Sequence, residues 1–505
     1  MLKRIVLLLS AVLFSGNLLW AQDFGFGFND NEDISPNTGN IASGGSYAPS
    51  LSIGGEVSAA IIGYFNDIIE GPEYVNTRDM FALSGKLNFN ARSSVAEGII
   101  NLNFVPAFVP VSINEAYLSA FFGSFDISAG LKKLTWGKAD QFGPLDVINM
   151  LDASKVFIEM ADNNNLMNVK IANPVVQASY RFGMFSKIEA VYLPSFDVVS
   201  MAISTAMSGA DNPMAALLLG TSSQRWIPAQ MSELNQMINK GIFGEDGNLL
   251  MHGSMKEINT SALDYTQAGL RFTTTIGRAD IGAQYFYGRM FQPVVKMSVL
   301  QPDMTGIVID PTAPGFDPEK IPRPTAEAEF IFNKYHQIGL DYAQVILGFN
   351  IRAEAAANIT EDLSGDDGYI YNPSIGWSFG FDRDLFLGIN LNLQANGSVR
   401  LFDDKVGSGD NPFAPDFDIE AGTSMTATRL TAMLSKKFLR DELELRGAVV
   451  WGIEDMDFAV IPALIWIKDD LKAALSGGFF LGDKEGQLGQ YHTNNFLKIS
   501  ATYTF

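Results

Sequence analysis

The chain has 505 residues, of which 47% are hydrophobic and 18% charged, with 37 Phe, 47 Gly and no Cys. This apolar and aromatic content excludes a disordered chain, and the lack of Cys excludes a disulfide framework and a Cys metal site. The net charge of −21 argues against nucleic acid as a partner, because phosphate binding requires an excess of Lys and Arg.

The first residues have the layout of a secretory signal peptide. Lys3 and Arg4 precede a short apolar core from Ile5 to Phe14, and the segment ends at Ala21. We predict that residues 1–21 direct export and are removed. The mature chain then carries 33 basic and 56 acidic residues, since two of the 35 basic residues are lost, and its net charge is −23. Residues 22–50 are rich in Gly, Asn and Ser, which predicts a flexible periplasmic segment.

From residue 51 onward, apolar and polar residues alternate with a period of two, the pattern of strands with one apolar face. In residues 385–396 the apolar face holds Leu385, Leu387, Ile389, Leu391, Leu393 and Ala395, and the other face holds Gly, Asn and Gln. No apolar run after residue 21 reaches the roughly 18 residues of a membrane-spanning helix. The alternation predicts about 18 strands, within a range of 16–20. They are placed at residues 51–65, 80–92, 94–105, 113–122, 125–134, 167–182, 186–194, 265–276, 279–289, 334–344, 346–357, 371–382, 385–400, 424–438, 442–452, 457–467, 471–482 and 496–505.

The connections between these strands alternate in length. Tight turns are predicted at Gly123-Ser124, Gly277-Arg278, Arg383-Asp384 and Asp469-Asp470, and long loops at 135–166, 195–264, 290–333 and 401–423. This layout is typical of outer-membrane barrels, in which closure pairs every strand inside lipid. We therefore predict an all-β fold: one antiparallel transmembrane β-barrel over residues 51–505, in the bacterial outer membrane. The alternative is a soluble β-sandwich or β-solenoid.

The chain stops at the end of an amphipathic strand. Tyr503 and Phe505 lie on its apolar face, which also holds Leu497 and Ile499. A terminal Phe on such a strand resembles the assembly signal of bacterial outer-membrane proteins. The resemblance implies that lipid and the outer-membrane assembly machinery are partners.

The sequence holds little that indicates covalent chemistry. His252, His336 and His492 are the three His, and none has a neighbour at metal-ligand spacing. No nucleophile elbow, phosphate-binding Gly loop or zinc-protease motif is present. We predict no enzyme activity, no cofactor and no metal; a hydrolase would need a Ser or Asp beside one of these His.

Strand parity places a mixed set of charges on the polar, lumen-facing side. The set has nearly equal numbers of bases and acids, so most of the excess negative charge falls in loops and termini. An acidic mouth concentrates cations, which predicts a weak cation preference; alternatively, these charges only hydrate the lumen. The lumen-facing candidates are Lys86, Arg92, Glu97, Glu115, Lys132, Arg271, Asp341, Arg352, Glu354, Arg429 and Arg446.

Residues 125–155 contain a strand that runs into Trp-Gly-Lys-Ala-Asp and then Leu-Asp-Val-Ile-Asn. This segment resembles porin-like outer-membrane barrels of Gram-negative or spirochaete type, loosely similar to the alginate-export and substrate-specific porin groups. The resemblance implies that Trp136, Lys138, Asp140, Asp146 and Asp152 lie near the pore mouth or constriction. Alternatively, they are strand-end, turn and cap residues.

The loop at 195–264 is Met- and Leu-rich over residues 201–237. It predicts one or two amphipathic helices that plug the lumen, cap the mouth or bind an apolar ligand, or else pack as a surface subdomain.

The favoured function is a porin for passive diffusion of small polar solutes. The alternatives are a channel for hydrophobic substrates that uses the 195–264 loop, and a structural or adhesive barrel with a closed pore. The oligomeric state has no signal in the sequence.

Overall fold

A computed structural model describes residues 50–70, 80–105, 109–140, 143–151, 156, 158, 161, 166–196, 242–243, 249–256, 259, 261–303, 321–407 and 418–505. The predicted signal peptide, residues 22–49, Asp152 and the Met-rich stretch 201–237 lie outside these residues.

The described residues form mostly strands. In chain order the strands are β1 (Ser50–Tyr64), β2 (Phe81–Arg92), β3 (Ala96–Val105), β4 (Val109–Phe122), β5 (Phe125–Lys132), β6 (Asn173–Phe182), β7 (Ser186–Leu193), β8 (Ile242–Phe243), β9 (Leu249–Met255), β10 (Gln267–Ile276), β11 (Ala279–Arg289), β12 (Val294–Leu300), β13 (Thr325–Ile331), β14 (Lys334–Ile346), β15 (Phe349–Thr360), β16 (Ser374–Asp384), β17 (Ile389–Arg400), β18 (Thr426–Phe438), β19 (Leu443–Gly452), β20 (Asp457–Lys468), β21 (Leu471–Leu481) and β22 (Phe496–Thr504). One short α-helix, α1 (Phe65–Glu70), follows β1. Short 3₁₀ helices lie at Leu166–Asn168, Leu263–Tyr265, Phe386–Gly388, Asp403–Lys405 and Gly489–Asn494.

Eighteen of these strands form one closed antiparallel barrel. Each strand pairs with the next barrel strand along the chain, and β22 closes the ring by pairing with β1 from Glu56↔Thr504 to Tyr64↔Phe496. Closure leaves no edge strand in the barrel, so the ladder hydrogen bonds are satisfied without water. The predicted all-β fold and the predicted strand number are confirmed.

The two faces of each barrel strand differ sharply in exposure. On β14, Gln337 and Asp341 are buried inside the barrel at 1% and 3% exposure, whereas Ile338 and Leu340 are 54% and 59% exposed outside. Aromatic side chains add to the outer surface near the short turns, including Phe122, Phe182, Phe438 and Phe505. An apolar outer belt with an aromatic girdle suits lipid, as expected for a transmembrane β-barrel.

Among the described residues, no helix is both long and apolar enough to span a bilayer.

One strand boundary and one turn differ most clearly from the predictions. Strand β6 begins at Asn173 rather than at 167, because residues 166–172 leave the lumen through a 3₁₀ turn and a bridge between Leu151 and Lys170. The predicted turn at Arg383-Asp384 is wrong. Both residues continue the β16–β17 ladder, opposite Leu391 and Asn390, and the chain reverses over 385–388 instead.

A second sheet, with strand order β12-β13-β9-β8, was missed by the sequence analysis. It joins the two long loops that follow β7 and β11, and β13 runs parallel to β9 from Thr325↔His252 to Ala328↔Met255. The strands are short and come from separate loops, so the sequence does not show which of them pair. The predicted helices at 201–237 fall outside the described residues.

Candidate functional site in the lumen

The chain folds into the barrel after β5. We call residues 133–140 and 143–151 the inward segment. Its apolar side chains are buried although they belong to no strand: Leu145 and Ile148 have 0% exposure and Val147 has 3%. A polypeptide that crosses a barrel interior must find partners for its backbone polar groups, and the partners are side chains of the barrel wall.

Asn149 holds the two ends of the inward segment together. Its Oδ1 accepts from the Leu134 backbone N–H at 2.7 Å, and its Nδ2 donates to the carbonyls of Lys132 and Ile171 at 3.2 and 2.8 Å. Asn173 adds a bond to the Ile148 carbonyl at 2.5 Å. The two ends of the segment are therefore held together beside the point where β5 ends and β6 begins.

Trp136 contacts the neighbouring wall. Its indole Nε1–H donates to Glu189 Oε1 on β7 at 2.6 Å, and its ring meets Phe286 edge-on with centroids 6.4 Å apart. The side chain is 2% exposed. A Cβ at Gly269 would lie 2.6 Å from the ring, so glycine on β10 makes room for this indole.

Glu354 on β15 is the acceptor for the middle of the inward segment. Its Oε1 accepts from the backbone N–H groups of Lys138 and Ala139, the second at 2.7 Å. Two glycines of the segment, Gly137 and Gly143, make this approach possible. A Cβ at either position would collide with the Glu354 carboxylate, and Gly137 also has a φ of 103°, which favours glycine.

Asp140 reaches the far wall. Its carboxylate pairs with Arg352 of β15 and accepts from Asn392 Nδ2 of β17 at 3.0 Å. From β5 the wall passes through β6, β7, β10, β11, β14, β15 and β16 before β17. In a ring of 18 strands, that is almost diametrically opposite, so the inward segment spans the lumen.

Burial raises the pKa of Asp140 to about 6, opposed by Arg352 and Asn392 and reinforced by the nearby Asp382. Arg352 also contacts Asp382 at 2.6 Å. One guanidinium is thus shared by two carboxylates, which is an electrostatic weakness of this anchor.

The turn of the inward segment is held by side-chain amides of two further strands. Gln337 on β14 donates to the Pro144 carbonyl and Gln284 on β11 to the Leu145 carbonyl, each at 2.9 Å. Asp146 pairs with Lys170, which lies shortly before β6, at 2.6 Å. Burial raises the pKa of Asp146, against the effect of Lys170.

We call the described residues between 151 and 170 the return path. The return path packs against another part of the wall. Leu151, Val156 and Val169 belong to one apolar cluster with inner residues of β1 and β18–β22, including Ile461 and Phe480. Lys498 Nζ donates to the Ile158 carbonyl at 3.0 Å, and Lys86 Nζ to Asn168 Oδ1 at 3.4 Å. The chain between β5 and β6 therefore contacts several sectors of the wall.

The structure places the lumen-facing candidates on inner-face strand positions, in several ion pairs and hydrogen bonds. Lys86 pairs with Glu56 at 2.5 Å, Arg271 with Asp341 at 2.6 Å, and Arg446 with Glu444 at 2.9 Å. The others are bonded as follows: Glu97 to Asn90, Glu115 to Asn101 and the Lys133 backbone, and Lys132 to Gln177 and Ser128. Arg429 is 6% exposed, and Arg92 faces its neighbour Glu97 across the β2–β3 ladder.

Of the five mouth or constriction candidates, the structure brings four into the inward segment. Trp136 and Asp146 are buried in its packing, whereas Lys138 contributes its backbone and Asp140 its side chain. Asp152 lies outside the described residues. Several anchors of the inward segment were not predicted from the sequence, namely Asn149, Lys170, Glu189, Gln284, Gln337 and Asn392. Inner-face parity marks those on strands as polar lumen residues, but not as partners of this segment.

The predicted assembly-signal residues lie outside the inward segment, as do His336 and His492. Tyr503 and Phe505 are on the outer face at 51% and 53% exposure; their part in assembly stays a prediction. His336 is also on the outer face, with Nδ1 2.7 Å from the Tyr285 hydroxyl, and His492 Nδ1 is 3.1 Å from the Gly489 carbonyl. Across the described residues, no group of three or more His, Cys, Asp or Glu has metal-binding geometry.

Solved structures match most of this chain, with TM-scores below 0.5. OpdL of Pseudomonas aeruginosa has 8% identity and a TM-score of 0.44, covering 90% of this chain and 98% of that one. OccK3 of Pseudomonas aeruginosa has 7% identity, a TM-score of 0.42 and coverages of 90% and 95%. Salmonella typhi OmpF has 7% identity, a TM-score of 0.37 and coverages of 90% and 97%. No protein-family model and no curated sequence matches the chain. Likeness at this level transfers no solute and no site residue.

Proposed function

We propose that this protein is an outer-membrane channel through which small polar solutes diffuse passively, with its lumen narrowed by the inward segment and the return path. No covalent chemistry is involved. A barrel of 18 strands is wide enough for an aqueous channel, and a segment across such a lumen sets the size and charge of what passes.

The observation that carries this proposal is the Asp140 anchor. Asp140 starts from the β5 side of the ring and is bound by Arg352 and Asn392 on the far side. The anchor is made by side chains rather than by a covering apolar core, so the interior around it is polar. Because the acids of the mature chain outnumber its bases by 56 to 33, we also propose a weak preference for cations.

The experiment is single-channel recording of the refolded mature protein in planar bilayers, with a salt gradient to give the reversal potential. Steady ohmic steps with a cation-selective reversal potential are the expected result. Folding is verified independently by heat-modifiable mobility on gels. If protein that is folded by this criterion gives no current, the channel function is rejected.

The second candidate is a structural or adhesive barrel with a closed pore. It is favoured by the apolar packing of Leu151, Val156 and Val169 against inner residues of β18–β22, since apolar contacts inside a lumen exclude water. The same recording separates the two candidates, because the closed barrel is silent while folded. The hydrophobic-substrate channel requires a role for residues 201–237, and no described residue supports that role.

A further inference from the structure

Unlike the inner faces of β17 and β20, the inner face of β2 is accessible along its whole length. From one end of the strand to the other, the inner-face positions Ala82, Ser84, Lys86, Asn88, Asn90 and Arg92 are exposed or half-buried, and none is buried. We call these residues the β2 stripe. Lys86 is directly opposite Glu56 on β1 and Asn103 on β3, which places the stripe on the lumen side.

On β17 and β20, by contrast, the inner face contacts the inward segment and the return path. On β17, Asn392, Gln394 and Asn396 are 2%, 3% and 4% exposed. On β20, the inner positions Asp457, Ala459, Ile461, Ala463 and Ile465 are all at or below 4%. In an open, water-filled barrel, the inner residues of every strand would be exposed to solvent. The uneven burial therefore indicates where in the lumen open space remains.

The neighbours of the β2 stripe are accessible and charged. Glu56 and Lys86 have side-chain exposures of 32% and 27%, and Glu97 and Glu115 on β3 and β4 are half-buried. Asn168, a described residue of the return path, forms a hydrogen bond to the stripe at Lys86 Nζ, at 3.4 Å. The contact is a single long hydrogen bond at about the middle of β2, with exposed positions at Ser84 and Asn88 on either side.

We propose that the solute path runs along the β2 stripe, between β1–β4 and the return path, and is narrowest at Lys86. This inference rests on the proposed channel function. This wall carries one net negative charge, because it has three acidic residues, Glu56, Glu97 and Glu115, and two basic residues, Lys86 and Arg92. The path therefore accepts small solutes that are neutral or cationic and discriminates against multivalent anions.

The natural chain lacks Cys, so single Cys variants report on one position each. The test variants are Ser84→Cys and Asn88→Cys; the control is Thr431→Cys on the covered inner face of β18, where Thr431 is 2% exposed. Each is reconstituted and treated during recording with a membrane-impermeant methanethiosulfonate that carries either a sulfonate or a trimethylammonium group. Incorporation is verified by mass spectrometry.

We expect both stripe variants to be labelled and their conductance to fall about two-fold or more, with opposite shifts of reversal potential for the two reagents. Thr431→Cys should keep its conductance. The inference is overturned if the stripe variants are labelled without any change in current, or if only Thr431→Cys is blocked. A wild-type protein that is folded but silent instead rejects the channel function, so the two failures are distinct.

Discussion

The last residue, Phe505, exchanges two backbone hydrogen bonds with Gly55, and each N···O distance is 2.9 Å. Gly55 lies on the outer face of β1, and a Cβ there would be 2.8 Å from the Phe505 ring and would collide with the Lys86 carbonyl. The terminal aromatic ring therefore covers a glycine at the seam where β22 meets β1. The seam is the one place in the barrel where the two ends of the fold must find each other.

Substitution Gly55→Ala should destabilise the folded barrel by about 1–3 kcal/mol, because a methyl group there forces backbone and ring apart. The measurement is the urea concentration at which half of the protein in detergent has lost its folded, heat-modifiable mobility on gels. Gly63→Ala on the same strand and face is the matched control, since its nearest new contact would be the side-chain atom Ile68 Cδ1 at 3.6 Å. Equal midpoints for the two variants would contradict the seam contact.

Substitution Glu354→Ala should release the inward segment. The backbone N–H groups of Lys138 and Ala139 lose their acceptor, at a cost of about 1–3 kcal/mol for each buried donor left unpaired. We expect higher conductance with more current noise. Glu354→Gln retains an acceptor oxygen and should conduct nearly as wild type does. Asn350→Ala, on the same face of β15, is the positional control. The same rise in conductance in that variant would contradict a specific role of Glu354 in holding the inward segment.

Substitution Gly137→Ala should produce a similar release from the other side of the contact. The new methyl group collides with the Glu354 carboxylate, and the φ of 103° adds strain of about 1–2 kcal/mol for a residue with a Cβ. Gly447→Ala is the control, because a Cβ there meets nothing within 4 Å. Single-channel conductance and its variance are the readouts, and unchanged values in Gly137→Ala would refute the close approach.

Cation preference should weaken as the pH falls through about 6, the pKa of Asp140. Protonation neutralises Asp140, one of the two carboxylates that pair with Arg352. The lumen therefore becomes more positive. Reversal potentials between pH 7.5 and 5 measure the change. Asp140→Asn should remove this pH step; a step that persists unaltered in that variant would assign it to another group.

The same raised pKa has a consequence for stability with a definite sign. An unfolded Asp has a pKa of about 3.9, so the folded chain binds more protons at Asp140 between that value and about 6. The stabilisation of the folded state by Asp140 is therefore fully present below about pH 4, and it is lost as the pH rises through about 6. Denaturant midpoints of wild type and Asp140→Asn, compared at low and neutral pH, should converge at the acidic end.

Strand parity was predictable where the alternation is strong. On β14 and β15, Asp341 and Glu354 were assigned to the inner face from sequence, and the structure pairs them directly across the ladder. Their partners were not predictable. The inward segment has no periodic signal, and Asp140 is 212 residues from Arg352 and 252 from Asn392 along the chain. The parallel pairing of β9 with β13 was missed for the same reason.

By itself, the sequence determined that this chain forms a two-faced antiparallel barrel of about 18 strands, because the period-two pattern reports a backbone geometry set within each strand. It also determined which polar residues face inward. Only the tertiary structure decided which inward residues remain accessible. That depends on where one segment between β5 and β6 crosses the lumen, and its course is set by contacts with strands far away in sequence, such as Glu354 with Lys138 and Asn392 with Asp140.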